Sequence, residues 1–112
     1  MTLFERIAAG EIPADIVRND DEVLAIRDIN PQAPVHILVI PQRVIPRIGE
    51  ARQSDSELLG RLLLAARDIA KEQGLDQTGY RLVINHGPHA GESVPHLHIH
   101  LLGGRPLDWP PG

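Results

Sequence analysis

The segment His96-Leu97-His98-Ile99-His100 restricts this chain more than any other stretch, because imidazole and aliphatic side chains alternate in it without a break. A helix would scatter such residues around its axis, whereas a strand sends alternate residues to opposite faces. The alternation predicts a strand over Leu97 to Leu102. Leu97, Ile99 and Leu101 then enter a core, and His96, His98 and His100 form a row on the other face, spaced about 6.6 Å apart along the strand. Three readings of that row stay open at this point. It is a solvated face of an edge strand, a metal site of the His-x-His kind that suits zinc, or a set of imidazoles acting as nucleophile and acid–base groups.

A core for that strand to face is available. The chain has 112 residues, 42% of them apolar and 23% charged, which describes one soluble globular domain spanning 1–112. The core is aliphatic, since Phe4, Tyr80 and Trp109 are the only aromatic residues besides the histidines. The formal charge of -4 disfavours nucleic acid as a partner. Lys71 is the sole lysine and the arginines are scattered, so there is no basic patch. The absence of cysteine excludes disulfides, thiolate catalysis and cysteine-ligated zinc. Glu5 and Arg6 interrupt the N-terminal apolar stretch, so it does not read as a signal peptide, and no run reaches the ~18 apolar residues of a membrane span. A cytoplasmic protein with no membrane partner is expected.

The remaining elements follow from caps and periodicity. Thr2 and Glu5 form a capping box for a short helix, Leu3 to Ala9, with Gly10 at its end. Strands are predicted over Asp15–Arg18, Val23–Arg27, His36–Ile40 and Tyr80–Asn85, with Asp28-Ile29-Asn30-Pro31 as a turn. Arg43–Gly49 is ambiguous, because Pro46 limits a strand there to a sheet edge. A long helix runs from Asp55 to Gln73, started by a box of Ser54 and Glu57, with Leu58, Leu62, Ala65, Ala66 and Ile69 as its buried stripe and Gly74 as its stop. Strands without regular helix alternation predict an α+β fold with an antiparallel sheet.

The loop from His86 to Pro95 is long for a hairpin and leads directly into the histidines. Gly87, Gly91 and Ser93 allow backbone N–H groups and a hydroxyl to approach an anion. Asn85 can direct an amide to the same mouth, and His36 can reach it from a neighbouring strand. His86 and His89 read as surface residues, and Glu92 as an exposed loop acid. No Gly-Lys-Ser/Thr phosphate loop is present.

These residues together resemble the histidine triad (HIT) superfamily. His96-Leu97-His98-Ile99-His100-Leu101-Leu102 is similar to its signature. Ile12-Pro13-Ala14, Asp28-Ile29, Pro31-Gln32-Ala33-Pro34, His36 with Leu38-Val39-Ile40-Pro41, Tyr80 to Asn85, Gly91-Glu92-Ser93-Val94, Leu102-Gly103-Gly104-Arg105 and Trp109-Pro110-Pro111-Gly112 extend the likeness nearly end to end. The closest likeness is to the nucleotide-binding branch, the purine nucleoside phosphoramidases. That resemblance implies a five-stranded antiparallel sheet with one long and one short helix, assembled as a two-fold homodimer. It also implies metal-independent, cofactor-free hydrolysis of the P–N bond in purine nucleoside 5′-phosphoramidates.

By the same resemblance His98 is the nucleophile, His100 and Ser93 contact the phosphate, and His36 and His96 orient the nucleophile. The backbone of Gly91, Glu92 and Ser93 cradles the phosphate and Asn85 faces phosphate and ribose. Asp28 binds the ribose hydroxyls, Ile29 follows it against the base, and Leu3, Phe4, Ile7 and Ile26 form the base pocket. The tail, 103–112, would carry Trp109 to the partner's active site. Purine nucleoside monophosphates are the implied ligands. Pro95 and Glu92 depart from the branch, where an aromatic residue and Gln are more usual. Hydrolysis of dinucleoside polyphosphates or nucleotidyl sulfates, and a nucleotide-binding adaptor role, are the competing functions.

Overall fold

The computed structural model describes residues 1–112, built around a five-stranded antiparallel sheet. Its strands are β1 (Ile16–Asn19), β2 (Val23–Arg27), β3 (Val35–Pro41), β4 (Tyr80–Val83) and β5 (Ile99–Gly103), in the order β1-β2-β3-β5-β4. Two α-helices complete it, α1 (Leu3–Ala8) and α2 (Ser56–Glu72). The α+β class, the antiparallel sheet and the long and short helices are those the sequence predicts.

Strands β2 and β3 are apolar on both faces because each face is covered by a different layer. Val23, Ala25, Ile37, Val39, Ile99 and Leu101 pack against Leu62, Ala65, Ala66 and Ile69 of α2. Leu24, Ile26, Leu38 and Ile40 pack against Phe4 and Ile7 of α1. His36 and His100 alternate with the α2-facing residues and so belong to the α1 face. The sheet therefore presents its histidines beside the short helix.

Local chemistry explains where the helices start. Thr2 Oγ1 accepts the N–H of Glu5 at 3.2 Å, and Thr2 N–H donates to Glu5 Oε1 at 2.9 Å, the expected capping box. Gly10 and Gly74 take the positive φ values, 79° and 76°, that their stop positions require. The box predicted from Ser54 and Glu57 does not form. Gln53–Asp55 is a 3-10 turn and Asp55 occupies the N-cap of α2. Its buried carboxylate accepts Arg52 N–H at 2.8 Å and pairs with Arg43, so it fixes the turn and caps nothing in the helix.

Strands β1 and β3 and the helix ends shift by a single residue, and larger differences lie near the histidines. Strand β4 ends at Val83, short of Asn85, because its pairing with β5 ends at Val83 and His100. Strand β5 begins at Ile99, so Leu97 and His98 lie outside the ladder. The Leu97 N–H instead donates to the Ile45 carbonyl at 2.7 Å. Arg43–Gly49 forms no edge strand, and its end enters a 3-10 turn, Ile48–Glu50. No helix is long and apolar enough to cross a membrane.

Candidate active site

Although His96 and His98 precede β5, the alternation survives. Leu97, Ile99 and Leu101 are buried in the α2-side core. The Phe4 ring meets both His96 and His98 edge-on, at centroid distances of 5.5 and 5.2 Å. His98 and His100 stack edge-on at 5.0 Å, and His36 lies 5.2 Å from His100. The row is thus His96, His98, His100 and His36, with Phe4 of α1 laid over its first two members.

Hydrogen bonds assign the proton of each ring. His98 Nδ1 is 2.8 Å from the His96 carbonyl, which can only accept, so Nδ1 carries the hydrogen and Nε2 keeps a lone pair. His96 Nε2 donates to the Pro41 carbonyl at 2.7 Å, so its Nδ1 accepts from Thr2 Oγ1 at 2.7 Å. His36 Nδ1 accepts the backbone N–H of Gln32 at 3.1 Å, which puts its hydrogen on Nε2. That hydrogen points to His100 Nδ1 at 2.9 Å, with Asp28 Oδ2 at 3.5 Å. His100 therefore carries its own hydrogen on Nε2. No buried polar side-chain atom is unpaired, so the free Nε2 atoms of His98 and His100 both reach solvent.

These assignments need neutral rings. Burial lowers His36, opposed by the nearby Asp28 carboxylate, and burial likewise lowers His96. His100 is lowered to about 4, first by burial and then by the neighbouring His98 and His36.

His98 and His100 open into a cleft of about 320 Å³ between α1 and the sheet. Leu3, Phe4, Ile7, Ile26, Asp28, Ile29 and Ser93, which the resemblance assigns to a nucleotide site, line it. Ile12, Pro13, Ala14, Arg27, Leu38 and Val94 line it as well and were not predicted. Ile29 is 98% exposed, so it forms a lip and not a wall. Asp28 Oδ1 accepts Asn30 N–H at 2.9 Å, which holds the turn at the mouth. The cleft is apolar at the α1 end and polar at the histidine end, a lining for a ligand with one apolar part and one charged part. Asn85, Gly91, Glu92, His36 and His96 do not line it.

Glu92 is a correction. Its side chain is 14% exposed, not a free loop acid. It accepts Arg47 Nε at 3.0 Å and Arg47 Nη2 at 3.0 Å, and Gly87 N–H at 3.1 Å. These bonds hold its carboxyl below the usual range, the Arg47 bonds foremost. His86 and His89 are exposed, although His86 Nδ1 accepts the N–H of Gly49 at 3.1 Å. Arg47 and Thr2 are the partners that sequence reasoning missed as site residues. Thr2 reads as a cap, and nothing local shows that His96, distant in the chain, shares its hydroxyl.

Trp109 is 81% exposed and sits 5.9 Å below the Arg81 guanidinium, whose Nη2 also donates to the Asp108 carbonyl at 2.9 Å. A metal ion would find donors in Asp28, His36 and His100, whose ligand atoms lie within 4.8 Å of one another. Binding there would require the His36–His100 hydrogen bond to break, since both facing nitrogens are engaged.

The chain matches the HIT domain family over residues 9–107. It is 49% identical over 106 residues to the purine nucleoside phosphoramidase of Escherichia coli, covering 95% of this chain and 89% of that one. It is 50% identical over 113 residues to a 14 kDa zinc-binding protein of Zea mays, covering 99% and 88%. The crystal structure of a HIT family hydrolase from Legionella pneumophila superposes with a TM-score of 0.97 at 50% identity, covering all of both chains.

Proposed function

This chain belongs to the HIT domain family, and from that premise we propose that it hydrolyses the P–N bond of purine nucleoside 5′-phosphoramidates, with His98 as nucleophile. The observation that carries the reading is the pair of free nitrogens in the cleft. His98 Nε2 offers a lone pair, because its Nδ1–H is tied to the His96 carbonyl, while His100 Nε2–H offers a donor beside it. One ring can attack phosphorus as the other stabilises its oxygens. The E. coli relative's activity supports the same reaction class.

In the first step a bond forms from His98 Nε2 to the α-phosphorus and the P–N bond breaks. The leaving nitrogen takes up a proton from solvent and departs as an amine. Attack leaves positive charge on the His98 ring, which the His96 carbonyl stabilises through Nδ1–H. Water then attacks phosphorus and gives a proton to solvent, His98 leaves as a neutral imidazole, and the nucleoside monophosphate is released. His100 and Ser93 bind the phosphate, Ser93 through its hydroxyl and its N–H, while the N–H groups of Gly91 and Glu92 are engaged by the Pro88 and Gly87 carbonyls and only shape the turn, and Asn85 stands outside the cleft. Asp28 receives the ribose hydroxyls, and Leu3, Phe4, Ile7, Ile26 and Ile29 receive the purine. His36 and His96 fix the two reacting rings in the required tautomers.

A two-fold homodimer with a cytoplasmic location belongs to the same reading. Leu63 and Leu64 of α2, Tyr80 and Ile84 are exposed, and Trp109, exposed against the Arg81 guanidinium, would reach the partner's site. Sedimentation at micromolar concentration tests the dimer, a monomer being the contrary result.

The decisive assay is adenosine 5′-phosphoramidate hydrolysis by the wild type and His98→Ala, each with and without EDTA. We expect full wild-type turnover in EDTA and loss of about 10³-fold or more in His98→Ala. Activity abolished by EDTA would assign the Asp28, His36 and His100 donors to a catalytic metal. Undiminished activity in His98→Ala would remove the nucleophile. Comparable turnover of diadenosine polyphosphates would move the substrate class.

A further inference from the structure

The turn that precedes Ser93 is fastened from behind. Glu92 and Gly87 are bonded twice, Glu92 N–H to the Gly87 carbonyl and Gly87 N–H to Glu92 Oε1, both at 3.1 Å. This closes residues 87–92 into a ring, with Gly87 and Gly91 at φ 81° and 78°. The guanidinium of Arg47 then grips the same carboxylate through Nε at 3.0 and 3.1 Å and through Nη2 at 3.0 Å. A second tie joins the same two segments, Gly49 N–H to His86 Nδ1 at 3.1 Å. Ser93 and Val94 follow the ring directly and line the cleft with His98 and His100.

We propose that Arg47 is a positioning residue for the phosphate-facing turn, acting through the Glu92 carboxylate. The inference rests on the nucleotide reading above and assigns a function to a side chain that does not line the cleft. Two physical requirements meet in this pair. The ring uses the N–H groups of Gly91 and Glu92 internally, so the donors it presents to an anion are the N–H and hydroxyl of Ser93, and these stabilise charge best when held in place before the anion arrives. An acid inside an anion-binding turn would also repel the phosphate unless a cation compensates it. A two-point guanidinium–carboxylate contact does both, and a lysine cannot reproduce its planar fork.

The experiment is calorimetric titration of AMP and of adenosine into the wild type, Arg47→Ala, Arg47→Lys, Glu92→Gln and the double variant Arg47→Ala/Glu92→Gln. Adenosine shares the base and ribose contacts and lacks the phosphate. Loss of a charge-assisted contact should weaken AMP binding about tenfold in Arg47→Ala while adenosine binding stays within about twofold. Arg47→Lys should fall between Arg47→Ala and the wild type. The double variant should regain part of the AMP affinity, because the uncompensated carboxylate is gone. The phosphoramidate KM should rise alongside. Equal AMP affinity in the wild type and Arg47→Ala would overturn the inference alone. Parallel losses for AMP and adenosine would overturn it too, by showing a general structural effect. Should Arg47→Ala not fold, Arg47→Lys and Glu92→Gln carry the same AMP-against-adenosine comparison. A wild type that binds adenosine no worse than AMP would remove the phosphate site itself, and the proposed function with it.

Discussion

His36 Nε2 lies 2.9 Å from His100 Nδ1, and the hydrogen between them belongs to His36. A backbone group decides this, because Gln32 N–H occupies His36 Nδ1 and forces the ring's own hydrogen to the other nitrogen. The tautomer is handed on to His100, whose Nε2–H is then directed away from His36. A main-chain N–H cannot change its protonation, so the relay has a fixed origin. It fails only if one of the rings is protonated.

That failure predicts a pH dependence of stability. His100 titrates at about 4 in the folded protein, against 6.5 for an unperturbed histidine. Between these values the unfolded chain takes up a proton that the folded one does not, so stability rises with pH. The contribution is complete above about pH 6.5 and is lost as the pH falls towards 4. His36 and His96 are lowered as well and act in the same direction. Urea unfolding at a series of pH values should therefore show a shallower slope in this window for His100→Asn than for the wild type. Identical slopes would mean that His100 is not held neutral by the fold.

Thr2 does two jobs with one hydroxyl. Its oxygen accepts from Glu5 N–H at the start of α1, and its hydrogen goes to Nδ1 of His96, a residue 1% exposed. Thr2→Val keeps the shape and removes both bonds. Loss of an N-cap costs about 0.5–2 kcal/mol. A buried ring nitrogen left without a partner costs about 1–3 kcal/mol more. The expected destabilisation in denaturant titration is the sum of the two, with Thr2→Ser close to the wild type. Because α1 also carries Phe4 against His98, Thr2→Val should raise the phosphoramidate KM. A loss no larger than that of an ordinary cap would show that the His96 bond contributes nothing.

Much of this architecture is legible in the sequence because it depends on local chemistry. The Thr2 and Glu5 box, the glycines at 10 and 74, the buried stripe of α2 and the facing of Leu97, Ile99 and Leu101 are set by neighbours a few residues away. The errors occur where a distant partner decides. Ser54 fails as a cap because Arg43 and Arg52 draw Asp55 into a turn. The strand carrying the histidines starts late because Ile45 takes the Leu97 N–H. Glu92 looks like a solvated acid until the fold brings Arg47 to it. At the site itself the alternation marks which histidines share a face, but the proton positions come from Thr2, Gln32, Pro41 and the His96 carbonyl. Two of those four are carbonyl oxygens and one is a backbone N–H, which side-chain patterns do not reveal.

One glycine is fixed by packing and not by backbone conformation. Gly103 closes β5 between Val35 and Tyr80 on its two neighbours. A Cβ there would fall 2.7 Å from Leu75 Cδ1 and 3.0 Å from Cδ2, and Leu75 is 4% exposed in the α2-side core. Leu75 cannot swing into solvent, so Gly103→Ala should cost about 1–3 kcal/mol through overpacking. Leu75→Ala alone should cost about 2–5 kcal/mol through the cavity it leaves. In the double variant the new methyl enters the space that Leu75 vacates, so the combined loss should be smaller than the sum of the single losses. Denaturant unfolding of the four proteins measures this coupling directly. Strictly additive losses would show that Gly103 and Leu75 do not press on each other.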